Sequence, residues 1–257
     1  MSAFSTAAFE PVVAVDAATT VDADANAAAE ILKGGSLFNK EGRGAFIVLE
    51  GCDRMGKTTQ AKALALALEA EGIPAVFMSS PDRSLKTGDL INQYLKKEIP
   101  EATAEWAQLL FAANRREAQA TILKHLKAGT TVVMDRYILS ARVYSISSGC
   151  DAIWIYELDR GLIRPDVTFL LDAPVEIVAS RREGDAKEIF DGLDFQQRLR
   201  AGFELHRGLA TVVIDANQLH VDIQIQLLYK TIRLFKSIQE SEVNYLPVHL
   251  THATLTE

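Results

Sequence analysis

The stretch AFIVLEGCDRMGKTTQ, residues 45–60, decides how the rest of the chain is read. Its first six residues are a run of mainly apolar, β-prone side chains, which suits a strand buried on both faces. Gly51 breaks the run. Residues 51–58 then fit G-x-x-x-x-G-K-[ST], and good helix formers follow as far as Gly72. A Gly-rich loop between a buried strand and a helix N-terminus cradles phosphates. Glycines let backbone N–H groups turn inward, and the helix end adds partial positive charge. Lys57 is expected to bridge the β- and γ-phosphates of a nucleoside triphosphate, and the Thr58 hydroxyl to ligate Mg²⁺. Asp53 and Arg54 are unusual in a loop that prefers small residues, and the loop by itself does not say where the last phosphate goes.

The bulk numbers fit one α/β domain. The chain has 257 residues, 48% of them hydrophobic and 24% charged. A net charge of −7 argues against non-specific nucleic-acid binding, which draws on a surplus of Lys and Arg. Two cysteines, Cys52 and Cys150, cannot build a disulfide scaffold and point to a reducing compartment, the cytoplasm first, with nucleus or organelle left open. No run approaches 18 consecutive apolar residues, so no membrane span is expected. Residues 1–43 are rich in Ala and Asp. They have neither the apolar core of a secretory signal nor the Arg-rich, acid-poor composition of a mitochondrial presequence. They read as a disordered extension with a short helix at Asn26–Lys33, and residues 241–257 as a flexible tail. The folded domain is placed at 44–240.

Within it the alternation repeats. Strands are expected at 45–50, 74–79, 130–135, 166–172 and 210–215, and helices at 84–97, 103–128, 174–182, 194–208 and 221–239. That order predicts a three-layer α/β fold, with a five-stranded parallel sheet covered by helices on both faces and a short lid.

Further motifs fall at strand ends and on one helix. In VVMDRY (132–137), Asp135 closes a strand at the sheet's C-terminal edge, where ligands bind in open α/β sheets. It is placed to hold Mg²⁺ or to take an acceptor's proton, and Arg136 offers a fork for phosphate oxygens. In SSPDRS (79–84), Arg83 is a second phosphate clamp and Pro81 is the residue type that admits a cis bond. Taken alone, that stretch is a plain Pro-Asp turn. In LLFAANRRE (109–117), Phe111 and Arg115 share a helix face, an arrangement that can stack on a base and bond its edge. Taken alone, they are a core Phe and a surface Arg. The segment 180–198 carries Arg181, Arg182, Lys187 and two glycines in a charged stretch between a strand-helix unit and another helix. It suits either a water-excluding lid or a solvated loop.

In order along the chain, FIVLEGCDRMGKTTQ, PDRS, LLFAANR, VVMDRYILS, GLIRPDVTFLLD and IFDGLDFQ resemble the thymidylate kinases, P-loop nucleoside monophosphate kinases that convert dTMP to dTDP. The resemblance spans about 44–218. It implies ATP and dTMP as substrates, Mg²⁺ as cofactor and a homodimer packed through helices. It implies an ATP-binding set of Gly51, Cys52, Asp53, Arg54, Met55, Gly56, Lys57, Thr58 and Thr59 with Arg182 from the lid, and a metal set of Thr58 and Asp135. The catalytic set would be Arg54, Lys57, Asp135 and Arg136. Asp53 would contact the dTMP sugar and phosphate region, and Arg54 the transferring phosphoryl group. Arg83 and Arg136 would hold phosphate, Phe111 would stack on thymine, and Arg115 would bond its O4. Ser140 and Gln196 fall near base and sugar, and Phe190 near the deoxyribose.

Several positions depart from the family pattern. Ser80 stands where an aromatic residue usually precedes the Pro-Asp-Arg turn, and Arg116 where a Trp is common. Ala141 replaces a common Gly, Ile189 a frequent lid Arg, and Phe190 a frequent Tyr. Loss of the aromatic at Ser80 predicts a roomier base pocket, with dUMP as the first additional substrate. Three other readings compete. A P-loop kinase of another metabolite shares the loop and lacks the base-reading pair. A GTP switch needs Asn-Lys-x-Asp after a strand, whereas Asn39-Lys40 precedes the loop and has Gly42 in the Asp position. A catalytically dead module would not need Lys57, Thr58, Asp135 and Arg136 together.

Overall fold

The computed structural model describes residues 42–174, 177, 190 and 193–247. In chain order the elements are β1 (Phe46–Glu50), α1 (Lys57–Ala70), β2 (Ala75–Ser79), α2 (Lys86–Leu95), α3 (Ala104–Lys127), β3 (Thr131–Asp135), α4 (Ile138–Ser147), α5 (Ala152–Leu158), β4 (Val167–Asp172), α6 (Leu193–Leu205), a 3₁₀ turn (Arg207–Leu209), β5 (Val212–Asp215) and α7 (His220–Gln239). The strands form one five-stranded sheet in the order β2-β3-β1-β4-β5, and every pairing is parallel.

Strand β1 shows why the sheet is three-layered. All five of its residues are buried. Ile47 and Leu49 pack with Leu64 and Leu68 of α1 and Leu227 and Phe235 of α7. Phe46 and Val48 pack on the opposite face with Ile122 and Leu126 of α3. The period of two thus divides one apolar run between two cores. A parallel sheet covered on both faces is the arrangement in which such a run is favourable.

The chain leaves β1 toward β2 on one side and later crosses from β3 to β4 on the other. The C-terminal ends of β1 and β3 therefore flank the switch point where α/β sheets open a crevice. Gly51 lines it and takes φ 136; a Cβ there would lie 2.3 Å from the Leu171 carbonyl oxygen. Only glycine lets the loop start this close to β4.

Two expectations need correction. The tail was placed beyond 240, yet residues 243–246 pack on the domain. Tyr245 bridges Ile163 in antiparallel fashion, Leu246 N donates to the Leu162 carbonyl at 2.8 Å, and the Leu246 side chain enters the core. At the other end Arg43, one residue before the expected boundary, donates two hydrogen bonds to Asp166 at 2.7 and 2.6 Å. The helices α4 and α5 were not named from sequence. The helix expected at 26–33, most of that expected at 174–182, and residues 248–257 lie outside the described residues.

Candidate active site

Beside the crevice lies a cavity of about 480 Å³, within the range of small-molecule sites. The phosphate loop forms one wall with Asp53 and Arg54, and Arg136 lies next to them. The turn Ser80–Arg83 forms another wall. Helix α3 supplies Gln108, Phe111 and Arg115, spaced i, i+3, i+7 on one face. Tyr137, Ser140 and Tyr144 of the β3–α4 segment, together with Phe190, complete it.

The loop residues divide by direction. Cys52 and Met55 are buried in the core, so their side chains hold the loop down and only their backbone is available to phosphates. Burial pushes the Cys52 thiol up to about 11, which makes it inert. Lys57 is buried and its ammonium donates to the Cys52 carbonyl inside the loop. Thr58 and Thr59 are exposed at the start of α1. Arg54 and Arg136 both have left-handed backbones, with φ of 62 and 65. Non-glycine residues hold that conformation only where the surroundings impose it, and functional sites are where this clusters.

Asp53 is the hub. Its carboxylate accepts from Arg136 Nη2, from the Tyr144 hydroxyl at 2.8 Å and from Gln196 Nε2 at 2.8 Å. Burial by itself would raise Asp53, but Arg136, Lys57 and these hydrogen bonds bring it down to about 2. The acidic residue stays ionised and locks the arginine fork in place. Arg136 also donates from Nη1 to the Gly51 carbonyl at 3.1 Å and to Ser140 Oγ at 3.2 Å, and its guanidinium lies 5.1 Å from the Tyr144 ring centre. Ser140 in turn donates to Glu50, which also accepts from the Tyr137 amide at 2.9 Å. Burial pushes the Glu50 carboxyl up.

The Ser80–Pro81 bond is cis, and the turn after it is held from α3. Asn114 accepts from the Asp82 amide at 2.8 Å and donates to the Asp82 carbonyl at 2.9 Å. Gly88 allows the first turn of α2 to come this near, since a Cβ there would lie 2.6 Å from the Arg83 carbonyl. Arg83 is thereby presented at the mouth of the cavity.

For the metal, Asp135 Oδ2 accepts from the Thr58 hydroxyl, whereas Asp135 Oδ1 is buried with no hydrogen-bond partner among the described residues. One hydroxyl beside one half-satisfied carboxylate fits Mg²⁺, which commonly takes one or two protein oxygens and fills its shell with phosphate and water.

Most of the expected site residues therefore meet in one place: Asp53, Arg54, Arg83, Phe111, Arg115, Arg136, Ser140 and Phe190 all line the cavity. Gln196 stands behind Asp53 and is not part of the wall. Arg182, with Arg181, Lys187 and Ile189, lies outside the described residues. Sequence reading missed Gln108, Tyr137, Tyr144 and Asn114. Gln108 was findable, since it shares the helical face of Phe111 and Arg115. The roles of Tyr144 and Asn114 depend on elements distant in sequence.

Comparison with known proteins settles the family. The thymidylate kinase family model matches residues 49–226. The chain belongs to the thymidylate kinase family. The thymidylate kinase of Schizosaccharomyces pombe is 32% identical over 197 residues, covering 74% of this chain and 93% of the relative. That of Caenorhabditis elegans is 34% identical over 212 residues, covering 78% and 96%. A solved structure of thymidylate kinase from Candida albicans, described as revealing the origin of broad substrate specificity and a novel structural element, superposes with a TM-score of 0.66. It is 29% identical and covers 79% of this chain and 98% of that one. Membership makes this chain a dTMP-phosphorylating phosphotransferase on the P-loop kinase fold.

Proposed function

We propose that the chain transfers the γ-phosphoryl group of ATP to dTMP, with Mg²⁺, giving dTDP and ADP for dTTP synthesis. The observation that carries this reading is the Asp53–Arg136 pair, which joins the phosphate loop to a cavity walled by Phe111 and Arg115. ATP lies along the loop, with its β- and γ-phosphates on the amides of 51–58 and on Lys57. dTMP fills the cavity with its base on Phe111 and O4 on Arg115. Its phosphate is held by Arg83 and Arg136, facing the γ-phosphoryl group. Arg54 neutralises the charge that spreads over the transferring group, and Asp53 keeps Arg136 aimed. When bound, Mg²⁺ on Thr58 and Asp135 would shield the β- and γ-oxygens. Phosphoryl transfer needs positioning and charge neutralisation rather than a covalent nucleophile. A panel of nucleoside monophosphates in a coupled ADP-release assay tests the reading, with dTMP expected as a preferred acceptor.

Ser80 favours a broader base range alongside dTMP. It lines the cavity with a side chain far smaller than an aromatic ring, so dUMP is expected as a second substrate. The chain also acts as a homodimer. Trp106, Leu109, Ala113 and Ala120 form an exposed apolar stripe along α3, on the side away from its core face. Light scattering after size-exclusion chromatography tests this, and a monomeric mass would rule it out.

A further inference from the structure

Arg115 is an odd donor for a substrate. It is only 4% exposed, although it lines the cavity. A buried guanidinium must be paired, because an uncompensated buried charge costs several kcal/mol. Its partner is Asp159, at the turn that ends α5 and 0% exposed. Arg115 Nη2 donates to Asp159 Oδ1 at 2.8 Å. The other oxygen, Oδ2, accepts from Arg142 Nε on α4 at 3.1 Å. Arg142 is itself held, with its guanidinium 4.0 Å from the Tyr156 ring centre. Two guanidiniums thus share one carboxylate beneath the base wall.

We infer that Asp159 is a positioning residue for base recognition: it fixes the plane of the Arg115 fork so that the remaining N–H groups face the cavity as donors only. This rests on the dTMP reading of the cavity. A guanidinium is planar and carries no acceptor. Once one edge is anchored, the donors cannot turn away from the ligand. A pyrimidine with a carbonyl at C4 is then matched, whereas one with an amino group there brings donor against donor. Specificity of this kind depends on rigidity, because a loosely held arginine could withdraw and tolerate the amino group. Asp159 touches neither substrate nor reacting atoms, and its effect is exerted through Arg115. A purely structural role would lower stability without altering the choice between bases.

The test compares kcat/KM for dTMP and dCMP in wild type, Asp159→Asn and Arg142→Leu. An asparagine offers one acceptor oxygen where the carboxylate has two, and no charge for either arginine. Asp159→Asn is expected to raise KM for dTMP about tenfold with kcat within about twofold, and to cut the dTMP:dCMP ratio about tenfold. Arg142→Leu also breaks a buried pair and lowers Tm, yet it leaves Arg115 on Asp159, so its ratio stays at the wild-type value. An unchanged ratio in Asp159→Asn, or an equal fall in Arg142→Leu, overturns the inference. If Asp159→Asn does not fold, Arg115→Met is compared with Arg115→Met/Asp159→Asn, which removes both partners of the pair. The two must share one ratio, and a further fall in the double variant overturns the inference. Wild type failing to use dTMP at all would refute the proposed function instead.

Discussion

Gln196 reaches from α6 to the phosphate loop: its Nε2 donates to Asp53 Oδ2 at 2.8 Å and to the Phe190 carbonyl at 2.9 Å. One amide thus ties the segment that carries Phe190 to the residue that aims Arg136. Phe190 is braced further by stacking on Phe195, with ring centres 5.1 Å apart, and by an edge contact with Tyr144 at 5.4 Å. Gln196→Ala removes the tie and leaves the aromatic packing in place. A hydrogen bond to a charged acceptor is worth about 1.5 kcal/mol, so KM for dTMP should rise about tenfold. Steady-state kinetics check this, and an unchanged KM would show that the tie plays no part in acceptor binding.

In the proposed reaction Arg54 acts on the phosphoryl group and not on the nucleoside. Arg54→Ala should lower kcat about a thousandfold, the low end for an arginine that stabilises a transferring phosphoryl group. The Kd for dTMP, measured by calorimetry, should stay within about threefold. Activity that survives the change would contradict the role given to Arg54.

Lys57 predicts a proton effect. Burial, helped by nearby Arg136, lowers it to about 8 against the pull of Asp53 and Asp135. The unfolded value is about 10.4. The unfolded chain therefore binds more protons between these values, and stability rises as pH climbs from about 8 to 10. Phosphates placed on Lys57 favour its charged form. Triphosphate binding at pH 8.5 should then take up protons, visible as a dependence of the calorimetric enthalpy on buffer ionisation heat. The uptake should vanish at pH 6.5 and in Lys57→Met.

Asp135 Oδ1 predicts a metal effect. Asp135→Asn keeps the shape and the contact with Thr58 but loses the charge at the orphan oxygen. The Mg²⁺ concentration for half-maximal activity should rise at least tenfold, in line with the loss of a charged ligand oxygen. Excess chelator should abolish wild-type turnover.

Ser80 predicts selectivity. dUMP lacks one methyl group, worth about 0.8 kcal/mol of burial, so the wild type should favour dTMP over dUMP by only about fourfold. Ser80→Phe narrows the cavity and should change that ratio. Strong rejection of dUMP by the wild type would contradict the roomier pocket.

The strands and long helices were legible because each rests on local pattern. β1 reads as a buried run, and α3 spans Ala104–Lys127 where a helix is expected at 103–128. Helix α4 was not, because ILSARVYSIS is rich in Ser and β-branched residues, which favour helices poorly. Its start is capped from another element: Glu50 of β1 accepts from the Tyr137 and Ser140 amides at 2.9 and 3.1 Å. A carboxylate at a helix N-terminus is favourable, but the 87 residues separating Glu50 from Tyr137 hide it from local pattern. The site divides in the same way. Lys57 belongs to a motif that can be read alone, whereas Arg54 and Phe111 take their roles only from the motifs taken together. Asp159, Asn114 and Tyr144 act across packed helices, and nothing beside them in sequence announces it. The tail was misjudged because the apolar Leu246 has no periodic neighbours to mark it as core.

Whether dTMP is the phosphoryl acceptor is decided by ADP release from Mg²⁺-ATP with each nucleoside monophosphate in turn. Release is expected to be rapid with dTMP, slower with dUMP, and slight with dCMP or the ribonucleotides. Background release with dTMP, alongside rapid release with any other monophosphate, would contradict that role for dTMP.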